Sequence, residues 1–168
     1  MNSMEKKLLN GQKAVVKNMT ADDIPDIIEI EKRSFSDPWS YGMFEDALDM
    51  KGQYFFCVTV DGKTAGYCGI MIVLDEGQIL NVAVDGEYRR LGLGQLLMDA
   101  MFECGIENGV KTYTLEVRES NFAARSLYKK NGFAETGKRP SYYTNPSETA
   151  ILMDAFFEDC SQHPERML

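Results

Sequence analysis

Apolar residues recur along this chain of 168 residues with two different periods, and the changes of period divide it into elements. Lys13–Met19, built around Ala14-Val15-Val16, predicts a first strand. Thr20 is suited to cap a helix, with Asp22 and Asp23 near the positive end of its dipole. Ile24, Ile27, Ile28, Glu31 and Phe35 fall on one face, an amphipathic helix that stops before Asp37-Pro38. A shorter helix is predicted over Ser40–Met50.

Tyr54–Val60 and Thr64–Leu74 are rich in strand formers and flank Asp61-Gly62-Lys63, a strong hairpin signal. After the turn Asp75-Glu76-Gly77, Gln78–Val84 predicts a third antiparallel strand. Leu93, Leu96, Leu97, Ala100, Met101 and Cys104 then keep helical spacing until Asn108-Gly109. Thr112–Val117 predicts a strand and Asn121–Asn131 a helix ended by Gly132. Phe133–Ala134 resumes an extended path. Lys138–Ser147 reads as an aromatic loop or hairpin tip before a last strand, Thr149–Asp154. The pattern implies a mixed α/β domain over residues 13–156, an antiparallel meander followed by crossover helices. Residues 1–12 read as a loosely attached arm and residues 157–168 as a tail.

Composition narrows the chemistry. With 44% hydrophobic and 26% charged residues, the chain has the balance of an ordinary globular domain. No apolar run approaches a membrane span, and Met1–Lys7 lacks the apolar core of a secretory signal. A cytoplasmic location without a membrane partner is therefore expected. The net charge of −8 opposes direct nucleic-acid binding. Cys57, Cys68, Cys104 and Cys160 form no C-x-x-C pair and read as reduced thiols, mostly buried. The single histidine, His163, lies in a polar stretch, so neither a metal site nor a Ser-His or Cys-His nucleophile is expected.

The segment with the most specific chemistry follows the strand Ile79–Val84. There Arg89-Arg90-Leu91-Gly92-Leu93-Gly94 leads directly into a helix. Glycines let backbone N–H groups approach a phosphate, and a helix start adds unpaired donors and partial positive charge. A Walker A loop would need Gly-Lys-Ser/Thr, which is absent, and a Rossmann fingerprint would need glycine where Leu97 stands. Taken alone, the glycines could equally make a plain turn.

Arg-x-x-Gly-x-Gly at a strand–loop–helix junction resembles the coenzyme A signature of the GCN5-related N-acetyltransferases (GNAT), and the succession of elements resembles their fold. Further motifs bring the resemblance closer to the ribosomal-protein-alanine N-acetyltransferase (RimI-like) branch. They are Pro38-Trp39-Ser40, Leu80–Val84, Leu115–Asn121, Ala124–Tyr128, Asn131-Gly132-Phe133 and Tyr142-Tyr143. The resemblance implies a mainly antiparallel sheet with a central parallel pair, splayed by a β-bulge to admit the pantetheine arm of acetyl-CoA. It places that arm along Val82, Ala83 and Val84, and the pyrophosphate on Arg90, Leu91, Gly92, Leu93, Gly94 and Gln95, with Asn121 touching the coenzyme.

Glu116 matches the family's general base and Tyr128 its general acid. On the residues alone, Glu116 could be a solvent-facing edge residue and Tyr128 simple core. Trp39, Tyr142 and Tyr143 match positions flanking the amine-accepting groove, although all three could instead cap the core. Glu45, Asp46 and Glu148 are candidates for attracting a basic ribosomal tail. The implied activity is acetylation of a protein N-terminal α-amine, with the N-terminal alanine of a small-subunit ribosomal protein as the expected acceptor and its basic segment as partner. Acetylation of a small amine and a coenzyme-binding module without turnover are the alternatives. The motifs leave the oligomeric state open.

Overall fold

A computed structural model describes residues 3–157. Eight strands form one sheet in the order β1-β2-β3-β4-β5-β6-β8-β7. In chain order they are β1 (Met4–Lys7), β2 (Lys13–Asn18), β3 (Gln53–Val60), β4 (Lys63–Val73), β5 (Glu76–Val84), β6 (Thr112–Arg118), β7 (Ala134–Thr144) and β8 (Ser147–Phe156). Four helices accompany them: α1 (Ile24–Ser34), α2 (Tyr41–Asp49), α3 (Leu93–Glu107) and α4 (Phe122–Lys130). Every strand pairing is antiparallel except β5 with β6.

Local chemistry accounts for the helix and hairpin limits. Thr20 and Asp23 form a capping box at the 3-10 turn Ala21–Asp23 that leads into α1. The Ser40 hydroxyl accepts the Met43 N–H at 3.3 Å to start α2. Asp61 and Gly62 both take positive φ, 48° and 82°, as a tight hairpin between β3 and β4 requires.

Side chains that alternate along the strands feed two cores, one on each face of the sheet. Phe55, Cys57, Tyr67 and Ala83 pack with Ile24, Ile27, Ile30 and Phe44 of α1 and α2. Phe56, Val58, Cys68 and Ile70 face α3 on the other side, together with Tyr113, Leu115 and Val117. Covering both faces explains why β3 and β4 read as nearly continuous apolar runs.

Three segments depart from the sequence reading. Met4–Lys7, expected within a loose arm, pairs with Lys13–Val16 as an edge strand. It carries no alternation because three of its four residues are exposed and its backbone does the pairing. Lys138–Ser147, expected as an aromatic loop or hairpin tip, is the closing part of the β7–β8 hairpin, mostly strand up to the tight turn at Asn145-Pro146. Nearly all of β7 is exposed and its register breaks twice, so no period of two survives. Phe157, assigned to the tail, is buried and packs edge-on against Phe102 at 5.7 Å and Tyr113 at 5.8 Å. Residues 158–168 of that tail, with Cys160 and His163, lie outside the described residues.

That aromatic cluster sits where α3 presses on the sheet. A Cβ on Gly105 would lie 1.9 Å from the Tyr113 hydroxyl and 2.8 Å from its ring. Alanine is the better helix former by about 1 kcal/mol, but the buried ring has no room to retreat. Gly105→Ala should cost ~1–3 kcal/mol through overpacking, read as a lower denaturant midpoint at unchanged m-value. A gain in stability would mean the ring is free to move.

Candidate active site

The site begins where the parallel pair ends. β5 and β6 are in register only from Glu76–Gln78 against Thr112–Thr114. Beyond Gln78 the strands part, and β5 carries an irregularity opposite β4: Ile79 faces Ile70 and Val82 faces Cys68, so Leu80 and Asn81 together oppose Gly69. The β6-facing edge of β5 from Ile79 onward has no strand partner. Those main-chain donors and acceptors look into a cleft that α4 roofs.

One end of the cleft is built for an anion. A cavity of about 600 Å³ is lined by Val82–Val84, Arg89, Arg90, Gly92–Gln95, Asn121, Ala124, Leu127, Tyr128 and Lys130. Gly92 caps α3 with φ 82°, and Arg90 adopts φ 65°. The left-handed region costs a non-glycine residue ~1–2 kcal/mol, which marks the loop as held for use rather than relaxed. The first N–H groups of α3 have no intrahelical acceptor. Gln95 and Asn131 exchange hydrogen bonds at 2.7 and 3.1 Å, tying the start of α3 to the end of α4. Gly94 lets the two helices approach, since a Cβ there would lie 3.1 Å from Leu127. Asn121 caps α4 by accepting the Ala124 N–H at 3.1 Å, leaving its NH₂ for the cavity.

A second chamber of about 250 Å³ adjoins the first. Its walls include Glu31, Trp39, Asn81, Glu116, Arg118 and Tyr143, and it shares Phe35, Val82, Asn121, Ala124 and Tyr128 with the larger cavity. Tyr128 is 7% exposed, and burial pushes its phenol above the ordinary value. Glu116 pairs with Arg139 of β7, and the Tyr142 phenol of the same strand lies close enough to that carboxylate for its pKa to be raised. Arg118 ties the opposite walls together. It donates to Ser36 Oγ (2.9 Å), Glu148 (3.1 Å), and the carbonyls of Asn145 (3.1 Å) and Pro146 (3.2 Å), while stacking 4.2 Å from the Tyr143 ring centroid.

Residues 24–133 match the model of the Acetyltransferase (GNAT) family. The chain belongs to that family. It is 42% identical over 142 residues to a Bacillus subtilis protein described as a candidate [ribosomal protein bS18]-alanine N-acetyltransferase, covering 84% of this chain and 94% of that one. It is 38% identical over 141 residues to the Escherichia coli [ribosomal protein bS18]-alanine N-acetyltransferase, covering 82% and 94%. The crystal structure of the ribosomal-protein-S18-alanine N-acetyltransferase from Escherichia coli superposes with a TM-score of 0.78 at 36% identity, over 86% of this chain and 94% of that one. The splayed mixed sheet implied by the motifs is thus the fold of this acetyltransferase.

The residues singled out from the sequence do not all converge. Glu116, Tyr128, Asn121, Val82, Trp39 and Tyr143 line the chambers, and Ala83, Val84, Arg90 and Gly92–Gln95 line the larger one. Leu91 does not; its side chain packs half-buried against the core around α3. Tyr142 lies exposed outside the smaller chamber, edge-on to Tyr143 at 5.2 Å. Trp39 lines the chamber and also packs on Phe44 at 5.2 Å. Glu148, read as an attractor for a basic tail, is already engaged by Arg118 and by the Ser120 N–H at 2.6 Å.

Arg118, Arg139 and the partners of Glu31 escaped the sequence reading. The signal for Glu31 was present as a lone carboxylate on the apolar face of α1. It is 1% exposed, accepts hydrogen bonds from Tyr67 and from the Trp39 N–H at 3.1 Å, and so anchors the loop carrying Trp39. Asn81 completes the chain by donating to Tyr67 at 3.2 Å. Burial outweighs these bonds and holds the Glu31 carboxyl above the usual carboxylate range. A carboxyl that holds its proton more tightly when folded contributes stability fully present below its unfolded value of about 4.3, and lost as pH rises through the folded value. Glu31→Gln, compared with the parent at each pH, should therefore gain relative stability as pH rises from about 4 toward 7. A pH-independent difference in unfolding free energy would show that Glu31 titrates like an ordinary carboxyl.

Proposed function

We propose that this protein transfers the acetyl group of acetyl-CoA to the α-amine of the N-terminal alanine of ribosomal protein bS18. The observation that carries the reading is the meeting of a coenzyme-sized cavity and a smaller chamber at Val82, Asn121, Ala124 and Tyr128. The acceptor is the one named for the Escherichia coli relative, to which this chain is similar over most of both lengths.

The cavity fits the co-substrate. Its volume suits a ligand of that size, and the unpaired edge of β5 at Val82, Ala83 and Val84 can hydrogen-bond the amides of pantetheine as a neighbouring strand would. Main-chain N–H groups between Arg90 and Gln95, with the start of α3, suit the pyrophosphate. Trp39 and Tyr143 border the acceptor chamber and Tyr142 its rim, apolar faces for the first residues of a peptide.

Glu116 takes a proton from the arriving ammonium, directly or through one water, which frees the lone pair that attacks the thioester carbonyl. The amine nitrogen bonds to carbon and gives up its second proton to water, the carbon–sulfur bond breaks, and the sulfur leaves as thiolate. No hydrogen bond engages the Tyr128 hydroxyl among the described residues, so that O–H is free to donate to the sulfur. No acyl-enzyme is needed. Among the described cysteines all are buried, and burial pushes Cys104 to about 11 and Cys57 to about 12, leaving little thiolate to act as nucleophile.

An Ala-starting bS18 peptide should drive release of free thiol from acetyl-CoA, with small amines inactive. Glu116→Gln and Tyr128→Phe should each lower kcat by ~10²-fold or more, with acetyl-CoA affinity unchanged by calorimetry. Coenzyme binding without thiol release from any amine would leave a binding module, and faster release with small amines would shift the acceptor class.

A further inference from the structure

Arg139 has no part in the reaction just described, yet it occupies the reaction's most important carboxylate. The strand order places β8 between β6 and β7, so Arg139 reaches across an intervening strand to pair with Glu116. Nearby charges are otherwise matched: Arg118 pairs with Glu148, and Lys138 with Glu119. The guanidinium lies 5.7 Å from the Tyr142 ring centroid, and its side chain is 55% exposed against 22% for Glu116. Glu116 therefore faces a cation and a phenol, both carried by β7.

We infer that Arg139 stands in for the acceptor: its guanidinium holds the cation position at Glu116 that the α-ammonium takes, so acceptor binding is an exchange of one cation for another. The inference rests on Glu116 being the carboxylate that receives the amine. A carboxylate can accept from both groups at once, but two positive charges a few ångströms apart repel, and the exposed one leaves more readily. Releasing Arg139 is cheap, because exposed ion pairs are worth about 1 kcal/mol or less. The exchange keeps the Glu116 carboxylate oriented between turnovers. It also makes Arg139 a determinant of acceptor affinity that opposes binding.

The expected consequence is a gain, which loss of folding cannot imitate. Arg139→Met should tighten binding of an Ala-starting bS18 peptide by about two- to fivefold, the range that a pair of this strength allows. The peptide Kd is measured by calorimetry with free CoA present. Arg139→Lys should fall between parent and Met. Raising ionic strength should narrow the gap between parent and variant, since the exposed pair is screened. In a Glu116→Gln background Arg139→Met should change nothing. Weaker or unchanged peptide binding by Arg139→Met in the otherwise native protein overturns the stand-in role. If Glu116→Gln instead keeps full turnover, the reading of Glu116 fails first and takes the inference with it.

Discussion

The parting of β5 from β6 is the constraint on which the rest of the molecule depends. A parallel pair that continued past Gln78 and Thr114 would satisfy its own amides and leave nowhere for a ligand. An unpaired amide away from water costs ~1–3 kcal/mol, so an open strand edge inside a domain lasts only where water or a ligand serves it. Both ends of the split are fixed by packing. The narrow end is closed by the T-shaped contacts of Phe102, Tyr113 and Phe157. At the wide end, the amide bracket of Gln95 and Asn131 and the close approach at Gly94 hold α3 against α4. The cleft is thus pre-formed, and little binding energy need be spent opening it.

Charge is laid out along this cleft rather than averaged over it. The chain carries −8 overall, yet Arg89, Arg90 and Lys130 border the larger cavity beside the positive end of α3. The smaller chamber holds Asp37 and Glu116 beside Arg118, whose charge is matched by Glu148. On the proposed function, an anionic coenzyme and a cationic acceptor are drawn to opposite ends of one continuous space. The carboxylates Glu31 and Glu116 differ in kind. Glu31 is buried and occupied by Tyr67 and Trp39, so it positions a wall. Glu116 is reachable, held only by groups of an exposed strand, and so remains open to exchange.

How much of this was legible in the sequence follows from the range of the interactions. The helical period of Leu93–Cys104, the helix beginning at Asn121 and the Asp61-Gly62 turn are local, and each appears where its residues require it. β1 and β7 were not legible because both are exposed edge strands, with no buried face to impress a period on the chain. At the site, Glu116 and Tyr128 were marked by motifs. Arg139 and Arg118 were not, since their meaning arises from β8 inserting between β6 and β7 and from the turn at Asn145-Pro146 folding back on Ser36. Such contacts span 23 residues for Arg139–Glu116 and 82 for Arg118–Ser36, beyond any local pattern.

The environment of Tyr128 sharpens what kind of acid it can be. Burial raises its phenol above the ordinary value near 10, while a leaving thiolate has an affinity for protons typical of a thiol, with a pKa of about 8.5. Complete transfer from phenol to sulfur is therefore uphill, the more so for being buried. Donation of a hydrogen bond is not, because it stabilises charge as it develops on sulfur and requires no phenolate. The same burial that weakens Tyr128 as an acid makes its O–H dipole stronger in effect, since the surrounding medium screens it poorly. The ring is buried and packs against Phe133 at 5.8 Å. On the proposed reading of the site, Tyr128 is an oriented donor at the junction of the two chambers.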